Sequence, residues 1–212
     1  MKRGLPLLLI FLLAGVFMAD AAPAEEQGPY MSLKGGLFIP AGDLSDAGFD
    51  TGYNGEAALG YAYSEHFSLE AAAGFFFLEG QKEGRSPALG SFREDNDLWA
   101  IPVTVTFLAT YPCQWTSLYG GAGVGVYFSR FQGTTASATQ GTFEFDDGDA
   151  AFEAHATAGA TVAVTSALSL GVEGKYVYTD KAEYQDTVGG VSLTKKMKLN
   201  GYMVMANLKF SF

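Results

Sequence analysis

Leu208-Lys209-Phe210-Ser211-Phe212, the last five residues of the chain, alternate apolar and polar and stop on an aromatic. Successive side chains of a β-strand point to opposite faces, so this stretch reads as a strand with one apolar and one polar side. The same period recurs upstream. Phe67, Leu69, Ala71, Ala73, Phe75 and Phe77 alternate with Ser68, Glu70, Ala72, Gly74 and Phe76. Trp99, Ile101, Val103, Val105 and Phe107 alternate with Ala100, Pro102, Thr104 and Thr106. Leu168, Leu170, Val172, Tyr176 and Tyr178 oppose Ser169, Gly171, Glu173, Lys175 and Thr179. The chain is 48% hydrophobic and 14% aromatic. Yet beyond its N-terminal leader no apolar run approaches the ~20 residues of a membrane helix. In hydrocarbon only helices and closed barrels satisfy every backbone group. The alternation therefore predicts a barrel whose apolar face meets lipid.

Eight strands follow in order: 29–39, 53–63, 67–78, 98–109, 117–130, 150–165, 168–179 and 199–212. Each reaches or exceeds the ~9–11 residues that a tilted strand needs to cross a bilayer. Their connections alternate in length. Segments 64–66, 110–116 and 166–167 are short, whereas 40–52, 79–97, 131–149 and 180–200 are long and polar. An even strand number with short turns at one end and long loops at the other predicts an all-β, eight-stranded antiparallel up-and-down transmembrane barrel. The short turns face the periplasm and the long loops the exterior. A soluble β-sandwich also alternates, but it calls for neither the long strands nor the terminal aromatic. A 16–18-stranded porin needs more chain than 212 residues supply.

Residues 1–24 read as a secretory signal peptide, leaving 25–212 as the barrel domain. Lys2 and Arg3 precede an apolar stretch over 5–18, followed by two small-x-small sites, Ala19-Asp20-Ala21 and Ala22-Pro23-Ala24. Cleavage is expected after Ala24, with Ala21 as the alternative. Val16 stands where a lipoprotein would carry its lipidated cysteine. The sole cysteine, Cys113, has no partner in the chain for a disulfide. A net charge of −10 argues against nucleic-acid binding.

The phase of the strands points Lys34, Glu56, Glu70, Glu153, His155, Glu173, Lys175 and Lys209 into the lumen. In lipid such charges are costly, which supports the assignment of faces. The interior of an eight-stranded barrel is just filled by side chains, so these charges are expected to interlock as a plug. An ion path is the competing reading. Glu153 and His155 share a face, but spacing alone brings no serine to them, and no catalytic residue is assigned. Gly121, Gly123 and Gly125 lie on one face of a strand and do not open a helix, against a nucleotide loop. They are expected to make room for bulky lumen neighbours such as Tyr119 and Tyr127, or for barrel curvature. Asp146-Asp147-Gly148-Asp149 reads as a solvated acidic loop, without EF-hand spacing. Lys195-Lys196-x-Lys198 is a cluster that could reach lipopolysaccharide phosphates, and His66 beside Glu65 reads as an exposed turn residue. No metal or cofactor is assigned.

Several stretches carry a resemblance. They are Tyr30-Met31-Ser32-Leu33-Lys34-Gly35-Gly36-Leu37-Phe38-Ile39-Pro40, Leu59-Gly60-Tyr61-Ala62-Tyr63, Ile101-Pro102-Val103-Thr104-Val105-Thr106 and Leu118-Tyr119-Gly120-Gly121-Ala122-Gly123-Val124-Gly125-Val126-Tyr127. With them the chain resembles the outer-membrane β-barrel superfamily typified by OmpA and OmpX, often labelled porin-family or opacity-like. The resemblance implies residence in a bacterial outer membrane, in contact with its lipids and lipopolysaccharide. It implies that Leu208, Phe210 and Phe212 form the signal read by the barrel-assembly machinery, with periplasmic chaperones acting in transit. The chain is expected to end with the barrel, without the peptidoglycan-binding domain of full-length OmpA. The expected role is non-enzymatic: a monomer serving envelope structure and surface interaction through long loops, with a narrow solute or ion channel as the alternative.

Overall fold

The computed structural model describes residues 27–86, 90–113, 116–137, 141–188 and 191–212. The signal peptide expected over 1–24 lies outside them. Among the described residues ten strands follow in order: β1 (Gly28–Pro40), β2 (Gly52–Ser64), β3 (Phe67–Ser86), β4 (Gly90–Pro112), β5 (Ser117–Ser137), β6 (Gly141–Ala163), β7 (Leu168–Thr179), β8 (Lys181–Val188), β9 (Val191–Lys198) and β10 (Gly201–Ser211). A four-residue helical turn, α1 (Asp43–Asp46), sits between β1 and β2.

Eight strands close into a ring in the order β1-β10-β7-β6-β5-β4-β3-β2, and β8 and β9 pair separately as a hairpin. Closure is made by β10, which pairs antiparallel with both β1 and β7. Ser211 N–H donates to Ala167 O at 2.9 Å, and Phe212 N–H to Pro29 O at 3.2 Å. The barrel thus has no open edge, as a hydrocarbon environment requires.

The faces separate as the sequence predicts. Leu59, Val103, Val105, Val124, Val172 and Val204 point outward and are exposed. Two aromatic girdles bound this apolar band, as at the two interfaces of an outer-membrane barrel. Tyr53, Phe77, Trp99, Phe128, Phe152, Tyr178 and Tyr202 form the one toward the long loops; Tyr61, Tyr63, Phe67, Phe107 and Tyr111 form the other.

The long connections differ from expectation. Segments 79–97 and 131–149, read as loops, are largely continuations of β3 to β6, which run to 20, 23, 21 and 23 residues. These legs rise beyond the girdle as one four-stranded wall, registered from Glu79↔Asp97 to Ser86↔Gly90 and from Phe131↔Asp147 to Ser137↔Gly141. Once a strand leaves lipid neither face needs to be apolar, so the period that marks a strand fades while the hydrogen-bond ladder goes on. Exposed ion pairs decorate the wall: Arg93 with Asp95 at 3.1 Å and Arg130 with Asp146 at 2.7 Å. The segment 180–200, also expected as a loop, differs likewise. It is the β8–β9 hairpin, and β8 lies against the upper part of β6.

Candidate functional site

The described site is the lumen, which is filled in three tiers. The tier nearest the short turns is a vestibule of about 20 Å³ lined by Tyr30, Ser32, Ser68, Tyr119, Asn207 and Lys209, with Glu70 and Glu173 as its floor. That is room for about one water.

Above it lies a buried ion network. Lys34 Nζ stands 2.6 Å from Glu70, 3.1 Å from Glu173 and 3.2 Å from Glu56. Lys175 Nζ donates to Glu56 at 2.6 Å and lies 4.0 Å from Glu173. Glu56 and Glu173 therefore bridge the two ammoniums. Hydroxyls satisfy further lone pairs: Tyr119 donates to Glu173 at 2.9 Å, and Tyr30 to Glu70 at 3.4 Å. Ser32 donates to Asn207 at 2.9 Å. All five charged side chains are nearly inaccessible, at 1–5% exposure. Charges removed from water this far must be paired to be tolerated. The strands supply them because inward positions recur every second residue, and the tilt of the barrel brings β1, β2, β3 and β7 to one level.

Glu153 and His155 form a second cluster on β6. His155 Nδ1 lies 3.0 Å from Glu153 Oε1, and Nε2 lies 2.9 Å from Thr106 Oγ1. Sequence spacing could not find Thr106, which sits on β4. Acid, imidazole and hydroxyl in line resemble a nucleophile relay in composition. A nucleophile also needs a place for a substrate next to it, and these three residues are buried, at 0%, 5% and 3% exposure. The glycines opposite provide the space. A Cβ at Gly123 would strike the His155 ring, and one at Gly125 would lie 2.8 Å from Glu153 Oε1. The three glycines thus make room for His155, Glu153 and Leu108, not for Tyr119 and Tyr127 as expected. Tyr119 instead leans over Gly159, and Tyr127 packs on Phe76 at 5.6 Å.

The upper tier is apolar, which strand phase alone did not announce. Phe38 and Phe76 stack at 4.6 Å between centroids. Leu78, Leu98, Ala100, Val177, Met203 and Met205 are buried with them. The hairpin closes the top with Ala182, Tyr184, Met197 and Leu199, all buried, while Leu44 and Phe49 enter from the β1–β2 connection.

Among the described residues, five hydrogen bonds anchor the hairpin. Glu183 N–H donates to Asp149 Oδ2 at 2.7 Å and Gln185 N–H to Asp147 Oδ2 at 2.6 Å. Lys198 N–H donates to Asp43 Oδ2 at 2.9 Å, Leu199 N–H to Thr179 Oγ1 at 2.6 Å, and Tyr184 pairs with Ser129 at 2.7 Å. Asp146, Asp147 and Asp149 thus lie on a strand and not in a loop, and each has a partner: Asp146 stays exposed and pairs with Arg130, while Asp147 and Asp149 accept from the edge of β8. The lysine cluster splits by alternation. Lys195 lies over the Phe131 ring at 4.4 Å, while Lys196 turns outward to Glu183. Lys209 faces the lumen as expected but stands at its mouth, 3.9 Å over the Tyr30 ring, below the Lys34 network. His66 lies in the β2–β3 turn, half-exposed and 3.6 Å from Glu65.

Burial pushes the Tyr184 hydroxyl up to about 12, with the Asp147 and Asp149 charges adding to it and the Ser129 hydrogen bond opposing it. An unfolded tyrosine titrates near 10. Docking of the hairpin is therefore fully retained below pH ~10 and weakens as pH rises through the folded value. A fluorophore on Thr194→Cys in a Cys113→Ser background should lose anisotropy in that alkaline window. Tyr184→Phe should show no such step. An identical step in both proteins would rule out Tyr184 as its source.

None of the curated proteins matches this chain. Solved structures do. Neisserial surface protein A (NspA) is 15% identical over 87% of this chain and 97% of its own, with a TM-score of 0.55. OprG from Pseudomonas aeruginosa is 14% identical over 91% of this chain and 99% of its own, also at 0.55. At such identities the likeness establishes the barrel fold. The family model of the outer membrane protein beta-barrel domain matches residues 9–210. With the closed ring, the girdles and the inward charges, this makes the chain a member of the outer membrane protein β-barrel domain family, whose place is the bacterial outer membrane.

Proposed function

We propose that this protein is a closed, non-enzymatic barrel that contributes to envelope structure and offers its extracellular wall and hairpin as an interaction surface. The observation that carries the reading is the three-tier filling of the lumen: an interlocked ion network, an aromatic and aliphatic layer, and a hairpin pinned across the top. Burial of Thr106, His155 and Glu153 supports a structural role for that cluster. The wall presents exposed charge pairs on a rigid ladder, a suitable scaffold for recognising a partner. Contact with outer-membrane lipids, a monomeric state and use of the assembly machinery belong to the same reading.

The alternative, a narrow ion or solute channel, draws on the vestibule and on a hairpin held mainly by hydrogen bonds to aspartates. Planar-bilayer recording of the purified barrel separates the two. The wild type is expected to show no steady current. Asp147→Asn/Asp149→Asn, which weakens two hairpin anchors, is expected to add brief openings at most, because the ion network still blocks the pore. A steady wild-type current whose ion selectivity changes in Lys175→Met would replace the closed reading by the channel.

A further inference from the structure

At the mouth of the barrel the inner face of the four-stranded wall changes character over two rungs. Leu98 and Phe131 are buried, whereas Glu94 and Thr135, two inward rungs higher, are half-buried. The rung between them joins Asn96, Gly133 and Phe145 in register. Gly133 brings no side chain to it. A Cβ there would stand 2.7 Å from Asn96 Oδ1 and 3.3 Å from the Phe131 ring. The glycine thus lets the Asn96 amide and the Phe131 ring approach each other. Phe145, half-buried, meets Phe131 edge-on at 5.3 Å and forms the other side of this notch.

Two donors border the Phe131 ring without an acceptor. Asn96 is 5% exposed, and its Nδ2 has no hydrogen-bond partner among the described residues. A buried N–H left unmet is costly, and such groups are rare in folded proteins. Lys195 Nζ stands 4.4 Å over the same ring and forms no ion pair among the described residues. The charged groups facing it are Glu94 and Lys82, which are cross-strand partners on the wall. Lys82 donates to Asp46 O at 3.1 Å. Burial lowers Lys195 below the ordinary lysine range, with Glu94 opposing and Lys82 adding to it. Two ammoniums against one carboxylate leave a single positive charge in excess.

We propose that this notch binds a small monocarboxylate with an aromatic body. One carboxylate oxygen accepts from Asn96 Nδ2 and the other from Lys195, while the aromatic body lies against Phe145. Entry swings the long Lys195 side chain off the ring and toward the carboxylate. The exchange is favourable because a charge-assisted hydrogen bond is stronger than an ammonium resting on a ring. A single excess positive charge matches a monoanion and leaves a phosphate or sulfate dianion partly uncompensated. That the ligand comes from the exterior rests on the outward orientation of the wall in the proposed function. The binding itself depends neither on that orientation nor on whether the lumen conducts.

The test uses the full folded barrel in detergent, with heat-modifiable migration confirming the fold of each variant. Binding of para-fluorobenzoate is followed by the shift and width of its fluorine NMR line. Wild type is expected to bind it at about millimolar concentration, a range open to a ligand of this size. Lys195→Met should bind about tenfold more weakly, as expected for loss of a charge-assisted contact. Asn96→Leu should weaken binding similarly and yet raise the thermal midpoint of the ligand-free barrel, because it removes an unmet buried donor. Lys196→Met changes the outward neighbour that pairs with Glu183 and should bind as the wild type does. The neutral para-fluorobenzamide and the dianionic para-fluorophenyl phosphate should both bind more weakly than the carboxylate. Equal binding by wild type and Lys195→Met would overturn the site, as would equal binding of the benzamide. A loss in Lys196→Met as large as that in Lys195→Met would reduce the effect to bulk charge and overturn it too. Tighter binding of the phosphate would refute the monoanion. A lower midpoint with unchanged binding in Asn96→Leu would remove Asn96 from the site.

Discussion

Replacing Lys34 by methionine is expected to destabilise the folded barrel by roughly 3–5 kcal/mol, the cost typical of breaking a buried ion pair. Lys34 is the hub of the network, with Glu70, Glu173 and Glu56 all within 3.2 Å. Its removal leaves three buried carboxylates to share Lys175. That ammonium touches Glu56 closely but stays 4.0 Å from Glu173. Lys175→Met should therefore cost less than Lys34→Met. The ranking can be read from urea unfolding of the barrel in lipid vesicles. Adding Glu70→Gln to Lys34→Met removes one orphaned charge and should restore part of the loss. Because the groups are buried, raising the salt concentration should leave the ranking unchanged. A Lys34→Met cost below about 1 kcal/mol, the range of surface pairs, would mean that water reaches the network and that the lumen is more open than its side chains indicate.

Those residues were legible in the sequence as a set but not as a network. Inward phase follows from counting by two, so Lys34, Glu56, Glu70, Glu153, His155, Glu173 and Lys175 fall on the right face. Which of them meet depends on strand tilt and stagger, which period-2 patterning does not encode. Lys34 reaches Glu173 across the closure of the ring, and Thr106 reaches His155 across β5. The same blindness hid the apolar tier. Phe76 alternates correctly, yet only the assembled barrel shows it stacked on Phe38.

The wall above the membrane was illegible for a different reason. Alternation marks a strand only while lipid covers one of its faces, and Arg93, Asp95, Gln132 and Asp146 have water there instead. The hairpin did leave a trace. Lys181-Ala182-Glu183-Tyr184-Gln185 and Lys196-Met197-Lys198-Leu199 both alternate. Their apolar members are the ones buried over the lumen.

Deleting Phe212 should lower the amount of folded protein in the outer membrane several-fold while hardly changing the stability of what does fold. The two effects separate because the residue does little in the finished barrel. The residue is 76% exposed, and its amide makes a single hydrogen bond, to Pro29 O at 3.2 Å. Losing one such bond costs about 1 kcal/mol. The pairings that close the ring, Met31↔Phe210 and Phe210↔Leu168, remain available. The larger effect is expected earlier, when the assembly machinery reads the terminal alternation of Leu208, Phe210 and Phe212. Two measurements decide it. Heat-modifiable protein in outer-membrane fractions should fall sharply for the deletion. Unassisted refolding from urea into lipid vesicles should give nearly the wild-type yield and midpoint. Wild-type amounts in cells would remove Phe212 from the assembly signal. A refolding defect in vesicles as severe as that in cells would shift its role to holding β10 against β1.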